Sequence, residues 1–406
     1  MTPEGLSIVV VSRGRPQALM RCLTAISQLR FAPFEVVVVA DPGGMTLLRQ
    51  WPLADHVKAV AFDEANISAA RNLGIAQAAG GVVAFIDDDA VPEPPWAARI
   101  MRAFADATVD VAAGFVKGRN GFSWQWRAQS VDAQGVTRPL EGIGGAVVLT
   151  PPPGRAVRTE GTNMAFRRAV LARAGGFDPA YRYFLDETDL NLRLAAAGAR
   201  TAILPDAVVH HGFAANAQRR ADRVPRDLTQ IGASWAVFLS RHCPEALRTR
   251  RWRDIRAGER ARALRHMVSG AIEPRDVRRL MTQLAYGFAE GQARPRSDLA
   301  PLGPPEATFL PFPSEPSRPG LALAGRSWQA ARLREEARDA VRSGRIVTLT
   351  LLSPSALFHT FRFTAAGYWE QTGGLFGRSL RSDPLVRPWS FRARIDREST
   401  LQANLR

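Results

Sequence analysis

Residues 82–94 read VVAFIDDDAVPEP and place three consecutive aspartates, Asp87, Asp88 and Asp89, directly after an apolar run. The run has the length and the β-branched and aromatic content of a strand that is buried on both faces. Adjacent carboxylates repel one another and raise each other's pKa unless a cation neutralises them. Carboxylate oxygens suit Mg²⁺ or Mn²⁺ shared with a substrate phosphate, so the triplet predicts a metal site. A solvated acidic turn that merely closes the strand is the alternative.

The sequence before this stretch alternates in the same way between strand and helix patterns. Residues 6–11 and 34–40 are apolar, β-branched runs that end at turn signals, whereas residues 17–29 and 64–80 have helical patterns. This alternation predicts an α/β fold whose mostly parallel sheet carries helices on both faces. Ligands of such sheets bind beyond the carboxyl ends of the strands. Polar residues follow each predicted strand at that edge: Ser12 and Arg13, Asp41, Asp63, and Asp87 to Asp89.

The length and the net charge of the chain bear on its number of domains and on the kind of partner that it binds. A chain of 406 residues exceeds the usual span of one hydrophobic core and favours two or more domains. The formal net charge is +16, and the positive side chains are almost all arginines, since Lys58 and Lys117 are the only lysines. Arginine pairs in bidentate fashion with phosphates and carboxylates, which favours anionic partners. A GC-rich genome that encodes arginine in place of lysine is the alternative explanation for the high ratio of arginine to lysine. It explains this ratio better than it explains the net charge.

The cysteines and the N-terminus indicate the compartment. Cys22 and Cys243 lie far apart and in no metal-binding spacing, which predicts a reducing environment and no disulfide. The apolar run at residues 6–11 is too short for the core of a signal peptide and follows no basic segment. No stretch approaches about 18 uninterrupted apolar residues. We therefore expect a cytoplasmic chain that at most touches the inner face of the cell membrane.

Two later stretches carry further candidate groups. Residues 183–198, YFLDETDLNLRLAAAG, place Asp186, Glu187 and Asp189 near the start of a predicted helix. The helix dipole favours negative charge there, so helix capping alone is an alternative to catalysis. His210 and His211 follow the next predicted strand, where they are either metal ligands or ordinary surface histidines.

Six segments in a fixed order resemble family 2 glycosyltransferases with the GT-A fold, a Rossmann-like sheet, and most closely the bacterial rhamnosyltransferase-like branch. The resemblance covers about residues 5–245. It rests on SIVVVSRGRP (7–16), EVVVVADPGG (35–44), NISAARNLGIAQAAGGVVAFIDDDAVPEPPW (66–96), EGTNMAFRRAVLARAGGFD (160–178), YFLDETDLNLRLAAAG (183–198) and PDAVVHHG (205–212). It implies an inverting, metal-dependent enzyme that moves a sugar from a UDP- or dTDP-sugar to a hydroxyl of a surface polysaccharide or glycolipid.

The resemblance also assigns donor-binding residues. Asp41 would contact the nucleobase and Arg71 the nucleotide, with a turn-forming aspartate and a solvated helix arginine as the structural alternatives. Members of the family usually have two acids after the second strand, whereas this chain has Ala40 and Asp41. The identity of the donor's nucleobase therefore stays open. The aspartate triplet matches the DxD motif, whose last acid, Asp89, would hold Mn²⁺ or Mg²⁺ against the diphosphate. The implied donor-binding set is Ser12, Arg13, Asp41, Arg71, Asp87 and Asp88.

The remaining assignments concern the metal, the base and the acceptor. The metal ligands would be Asp89, Asp87 and His211, with His210 as a substitute for His211. The Glu-Asp pair of the family appears here in reverse order, so Glu187 is the first choice for the base that deprotonates the acceptor, and Asp186 the second. The segment that floors the acceptor site matches Gly161, Thr162 and Asn163, although a strand-end turn explains these three nearly as well.

The chain beyond residue 245 carries no recognisable chemical motif. We predict a helical extension at 246–298, a proline-rich linker or strap at 299–320, and a helix plus a small β-rich module at 321–406. The arginine excess from Arg219 onward predicts a peripheral contact with anionic membrane. The aromatic residues expected to form a core rather than a sugar-stacking platform are Phe361, Phe363, Tyr368, Trp369 and Phe376.

Two other functions stay open. A sugar nucleotidyltransferase usually has a Gly-rich loop after the first strand, and SRGRP at 12–16 supplies little glycine. A non-catalytic, transferase-like scaffold at the membrane is the other alternative, and the retained acids and histidines speak against it. Nucleic-acid binding is not expected, because no recognition motif with stacking aromatics is present.

Overall fold

The computed structural model describes residues 5–212, 214–295 and 298–403. The first part of the chain forms strands β1 (Leu6–Ser12), β2 (Phe34–Ala40), β3 (Val57–Ala61) and β4 (Val82–Asp87) and helices α1 (Pro16–Ile26), α2 (Pro42–Arg49) and α3 (Ile67–Gln77). The four strands are parallel and lie in the order β4-β1-β2-β3. This half of the sheet is the arrangement that the alternating pattern predicts.

The apolar runs form strands because both of their faces are covered. Ile8 and Val10 pack with Leu23 of α1 in one core cluster. Val9 packs with Ile75 of α3 in a second cluster on the opposite face. Side chains of a strand alternate between the faces, so a continuous apolar run is required where helices cover both. The predicted α/β class is thereby confirmed.

The next part of the chain completes the large sheet and adds a small one. Its strands are β5 (Ala90–Pro92), β6 (Val111–Lys117), β7 (Trp124–Trp126), β8 (Gln129–Asp132), β9 (Thr137–Pro139), β10 (Val147–Leu149), β11 (Arg155–Arg158), β12 (Met164–Arg167) and β13 (Thr201–His211). Its helices are α4 (Trp96–Ala103), α5 (Arg168–Arg173) and α6 (Asp186–Ala196).

The large sheet has ten strands, with the main order β10-β13-β6-β12-β4-β1-β2-β3. Strand β12 is antiparallel to both of its neighbours, β4 and β6, whereas β13 runs parallel to β6. The short strands β5 and β7 pair with β13 and β6, and β8, β9 and β11 form a separate sheet. Strand β5 directly follows the aspartate triplet and pairs with the end of β13, so His211 lies opposite Ala90 and close to the triplet. This is the GT-A type of arrangement that the resemblance implies.

Three helices follow, α7 (Thr229–His242), α8 (Glu245–Val268) and α9 (Pro274–Gln292). Helices α7 and α9 approach each other closely at glycines. A Cβ atom added to Gly287 would lie 1.9 Å from the carbonyl oxygen of Thr229, so only glycine allows this contact. Among the described residues, no helix combines the length and the apolar character that a membrane span requires.

The proline-rich segment lies along the first domain rather than away from it. The backbone N–H of Phe312 donates to the carbonyl oxygen of Phe34 at 2.8 Å. The Phe312 ring is buried and stacks on Phe34 at 5.3 Å and on Trp51 at 6.0 Å between centroids. The segment is thus a strap whose aromatic ring belongs to the main core. The division of the whole chain into four units stays a prediction.

The C-terminal module contains β14 (Gly320–Arg326), α10 (Ala330–Arg342), β15 (Ile346–Ser353), β16 (Thr360–Phe363), β17 (Trp369–Gly374) and α11 (Phe391–Ala403). Its four-stranded sheet has the order β14-β15-β17-β16, in which only β16 is antiparallel to its neighbour. Phe361, Phe363 and Trp369 are buried and pack against Ala25 and Val91 of the first domain. Three of the five predicted aromatics therefore form a core that joins the module to the large sheet, Tyr368 is buried in the module's own core, and Phe376 is half-buried.

Candidate functional site

A cleft of about 410 Å³ opens at the carboxyl ends of β1 and β2. This is the edge at which parallel sheets bind ligands. Residues of the β1–α1 loop, of the segment before α3 and of the loop after β13 line the cleft, among them Ser12, Arg15, Phe62, Asn66, Tyr183 and Asn216. The cleft mixes apolar walls with polar side chains, as expected for a nucleotide or sugar ligand.

The three aspartates at the end of β4 point in different directions. Asp88 is fully buried, accepts a hydrogen bond from Ser12 Oγ at 2.7 Å and pairs with Arg15 Nη2 at 2.6 Å. Asp89 lies 3.3 Å from Arg15 Nη1 and accepts a hydrogen bond from the backbone N–H of Ala214 at 2.6 Å. Asp87 is the most exposed of the three side chains. The triplet is therefore partly neutralised from within by one arginine.

These surroundings separate the acidities of the two inner aspartates. Burial raises the pKa of Asp88 to about 7, although Arg15 opposes this shift. Burial also acts on Asp89, but the hydrogen bond and charge of His211 and the charge of Arg15 outweigh it and hold the Asp89 pKa below its usual range. Asp89 is thus the acid that stays ionised and available as a ligand.

A candidate metal centre lies at this edge. Ligand atoms of Asp87, Asp89 and His211 all lie within 4.8 Å of one another. Two carboxylates and one imidazole form a donor set that suits Mn²⁺ or a similar divalent ion. His211 Nδ1 lies 3.2 Å from Gln125 Oε1, so the Nδ1 proton can be donated there while Nε2 faces Asp89 at 3.2 Å. The residues present therefore fit a divalent cation.

His210 faces the other side of β13. Its Nε2 atom lies 2.7 Å from Glu93 Oε1, and its ring centroid lies 4.9 Å from that of Trp369 in the C-terminal module. Consecutive side chains of a strand point to opposite faces, so the two histidines cannot both reach the aspartates. The structure brings His211 to the metal group and places His210 against the module.

The carboxylate pair at the start of α6 is joined to the triplet through Arg71. The Arg71 guanidinium is buried, lies 3.3 Å from Asp87 Oδ1 and donates a short hydrogen bond to Asp186 Oδ2. Burial raises the pKa of Asp186 to about 7, with Arg71 opposing the shift and Glu187 adding to it. Glu187 is more exposed than Asp186, and its Oε1 atom lies 3.9 Å from Arg158 Nη2. Glu187 is therefore the freer of the two acids.

Gly161 and Asn163 belong to the segment predicted to form the floor of the acceptor site, and their surroundings differ. Gly161 lies under Arg71, and a Cβ atom there would sit 2.3 Å from Arg71 Nη2. Asn163 is buried, accepts a hydrogen bond from Trp96 Nε1 at 2.8 Å and donates to the carbonyls of Phe115 and Ala207 at 3.0 and 2.8 Å. Its amide thus ties α4 to β6 and β13 instead of facing the cleft.

Two of the other assigned residues also have partners within the protein. Asp41 caps α2 through Gly44 N at 2.9 Å and accepts a second hydrogen bond from Gly14 N at 2.8 Å. Arg13 pairs with Asp63 at 3.1 Å on the exposed rim of the edge. Both residues lie at the predicted edge, and their contact with a nucleotide stays a prediction.

Sequence reasoning missed two charged residues of this region. Arg15 contacts both inner aspartates, and the only signal was a second arginine two positions after Arg13. Glu160 precedes Gly161 and lies 3.4 Å from Arg158, and burial raises its pKa to about 7. Spacing alone does not reveal which arginine of SRGRP points inward, nor that Glu160 is buried.

Glu160 gives the first testable prediction. A carboxyl whose pKa rises from 4.5 to about 7 on folding holds a proton that the unfolded chain releases. The free energy of unfolding therefore falls as pH rises through this window, by at most about 1.4 kcal/mol per pH unit for this group. Glu160→Gln should flatten that dependence in urea unfolding measured across the window without added divalent ions. Parallel pH curves for the two proteins would contradict the assignment.

Comparisons with known proteins place this site in context. The chain is 27% identical over 321 residues to O-antigen biosynthesis protein RfbC of Myxococcus xanthus, which is 66% of this chain and 24% of that protein. It is 27% identical over 214 residues to the pre-mycofactocin glycosyltransferase of Mycobacterium tuberculosis, 51% of this chain and 42% of that protein. The chain thus spans less than half of the length of each of these relatives.

A solved structure with a related fold is the mannosyltransferase PcManGT from Pyrobaculum calidifontis in complex with GDP-Man and Mn²⁺. It superposes with a TM-score of 0.42 at 18% identity, over 72% of this chain and 87% of that one. The family model described as "Glycosyltransferase like family 2" matches residues 3–227, which include every residue of the site described above. Since this match spans more than half of the 406 residues, the chain belongs to the glycosyltransferase-like family 2.

Proposed function

We propose that the protein transfers a sugar from a nucleotide-sugar donor to a hydroxyl acceptor, with inversion at the anomeric carbon and with a divalent cation. The observation that carries this proposal is the group formed by Asp87, Asp89 and His211, which is joined to the cleft through the cleft residue Arg15. Arg71 links that group to the acid pair on α6 through Asp87 and Asp186. In this proposal the metal group neutralises the charge of the leaving group and the acid pair supplies the base.

The donor would lie with its nucleoside in the cleft and its diphosphate at the metal group. A bound Mn²⁺ or Mg²⁺ would neutralise the negative charge that develops on the departing nucleoside diphosphate. Arg15 holds Asp88 and Asp89 in place from below, since it contacts both. We propose a UDP- or dTDP-sugar as the donor, as the family resemblance implies.

Glu187 is the proposed base. Asp186 is buried and one of its oxygens is occupied by a hydrogen bond from the Arg71 guanidinium, so it is less accessible to an acceptor hydroxyl. Glu187 is the more exposed of the two acids and lies 3.9 Å from Arg158 Nη2. It would take the proton of the acceptor hydroxyl while the oxygen attacks the anomeric carbon in line with the leaving group. A single displacement of this kind inverts the anomeric configuration.

The acceptor is proposed to be a growing surface polysaccharide or a lipid-linked glycan. Gly161, which lies under Arg71, and Glu187, whose side chain is 14% exposed, are the residues proposed to contact this acceptor. This part of the proposal follows from the family resemblance, and the nature of the glycan is left to experiment.

A donor panel tests the proposal. The protein is incubated with UDP-, dTDP- and GDP-sugars and Mn²⁺, with simple glycosides as acceptors, and release of nucleoside diphosphate is measured. The product anomer, read by NMR, should have the opposite configuration to the donor. Formation of pyrophosphate from a nucleoside triphosphate and a sugar phosphate would identify a nucleotidyltransferase instead. Absence of both turnover and nucleotide binding would identify a scaffold.

A further inference from the structure

The C-terminal module exposes apolar side chains along one edge of its sheet. Strands β14, β15 and β17 are parallel, so their carboxyl ends meet at the same edge. The segments that follow these three ends carry five large apolar side chains that are 55% to 69% exposed. We call this set the apolar edge: Trp328, Leu357, Phe358, Leu385 and Val386. It contains five of the ten large apolar side chains that are exposed among the described residues.

The loops of the apolar edge are held by backbone hydrogen bonds. The N–H of Gly374 donates to the carbonyl oxygen of Leu357 at 2.9 Å, and Val386 forms a β-bridge with Gly377. A Cβ atom on Gly377 would lie 1.9 Å from the Leu357 carbonyl oxygen, so the two loops meet tightly at this glycine. The apolar side chains are therefore presented by an ordered framework, and their exposure is not the result of fraying.

Arginines surround the apolar edge. The Arg378 guanidinium lies 4.4 Å from the centroid of the Phe358 ring, and Arg387 lies at the same distance from Trp389. Arg381 is exposed in the loop between them. The acid of this loop, Asp383, pairs with Arg397 at 2.6 Å, so it does not cancel the charge of the other three arginines. The edge thus combines apolar tips with a positive rim.

The opposite edge of the module faces the first domain. The Gln28 side chain donates to the carbonyl oxygen of Gly367 at 2.6 Å, and Arg30 Nε donates to the carbonyl oxygen of Arg318 at 3.2 Å. Gly367 precedes β17 and Arg318 precedes β14, so both contacts lie at the amino ends of the parallel strands. The first domain also reaches the β16 side of the module, where Phe361 N–H donates to the carbonyl oxygen of Asn120 at 2.9 Å and the Phe122 ring lies 6.4 Å from that of His359. The five side chains of the apolar edge nevertheless stay 55% to 69% exposed.

We propose that the apolar edge docks onto an anionic lipid bilayer, with its apolar tips in the headgroup region and its arginines on lipid phosphates. Apolar side chains at loop tips, a tryptophan among them, favour the boundary between headgroups and acyl chains. Basic side chains at their rim are attracted by the negative surface of such a membrane. This charge complementarity favours a lipid surface over a protein partner. The inference goes beyond the proposed sugar transfer and does not depend on it.

Vesicle flotation of the full chain tests this inference. Neutral phosphatidylcholine vesicles are compared with vesicles that also contain phosphatidylglycerol. We expect the protein to float with the anionic vesicles and this binding to fade with added salt, because salt screens the arginines. Phe358→Ser combined with Leu385→Ser should lower the partition coefficient roughly tenfold or more, since both inserted side chains are lost. Arg381→Gln should lower it about fivefold.

Matched variants show whether position matters. Val268→Ser combined with Tyr286→Ser removes two exposed apolar side chains of the helical extension, and Arg102→Gln removes an exposed charge on α4. Both controls should bind anionic vesicles like the wild type. Equal losses in the controls and the edge variants would overturn the inference, as would a wild type that floats with neither vesicle. Self-association that is abolished by the edge variants would also overturn it, in favour of a second copy as the partner.

Folding and the transfer site are followed separately. Each edge variant should unfold at the temperature of the wild type and bind nucleoside diphosphate with unchanged affinity. A variant that unfolds early is replaced by Leu357→Ser with Val386→Ser, which removes two of the three remaining side chains of the apolar edge. Lipid binding in a protein that transfers no sugar would leave this inference standing while the proposed function fails.

Discussion

Replacing Asp89 by alanine is expected to reduce sugar transfer to background and to weaken donor binding in the presence of Mn²⁺ or Mg²⁺. The change removes a carboxylate from the group in which ligand atoms of Asp87, Asp89 and His211 lie within 4.8 Å of one another. It also leaves Arg15 with one fewer acidic partner. The positive charge of Arg15 does not supply the coordination geometry of a metal ion. A catalytic metal stabilises the transition state by several kcal/mol, so we expect the rate of sugar transfer to fall at least about 10²-fold.

The measurement has two parts. Turnover is followed by release of nucleoside diphosphate, and Mn²⁺ binding is followed directly by electron paramagnetic resonance. Asp206→Ala is the matched control, since Asp206 lies on β13, the strand of His211, but pairs with Arg99 on the surface. The control should keep both activity and metal binding. Full activity of Asp89→Ala, or of the wild type in excess chelator, would refute the metal centre.

The second large effect is expected at the acid pair. Glu187→Gln keeps the shape of the side chain and removes the proton acceptor, so transfer should fall by roughly 10² to 10⁴-fold. Donor affinity should stay near that of the wild type, because the change leaves Asp87, Asp89 and His211 intact. Single-turnover kinetics with saturating donor separate the chemical step from binding.

Asp186→Asn is the informative partner of that variant. It removes the carboxylate to which Arg71 donates, and the buried guanidinium would keep its ion pair with Asp87. We expect it to impair donor binding as well as turnover. A nearly silent Glu187→Gln together with a purely catalytic defect in Asp186→Asn would exchange the two roles. If neither change affects transfer, the assignment of the catalytic base from the family resemblance is wrong.

Much of the fold could be predicted from local patterns. The runs at β1, β2 and β4 are apolar because helices cover both faces of the sheet, and periodicity reports this directly. The position of the aspartates follows from the same pattern, since a parallel strand ends at the ligand-binding edge. The antiparallel insertion of β12 between β4 and β6 could not be predicted, because strand order depends on long-range pairing that leaves no local signal.

The site was predictable in outline but not in orientation. Alternation along β13 requires that only one of His210 and His211 faces the aspartates, yet the sequence does not tell which. The same holds for Asp88, which is buried against Ser12, and for Asp89, which faces His211. Arg15 escaped notice because its partners lie more than 70 residues away in the chain, and only the folded sheet brings them together.

The proline-rich strap affects how the protein unfolds. The family match ends at residue 227, yet the buried ring of Phe312 completes the packing around Phe34 and Trp51. On the other flank, Trp369 covers Ala25 and Val91. A chain cut after residue 227 would leave these apolar surfaces bare and prone to aggregate. We therefore expect the region of the family match and the strap to share one cooperative melting transition, so that the unit that folds extends beyond the boundary of the family match.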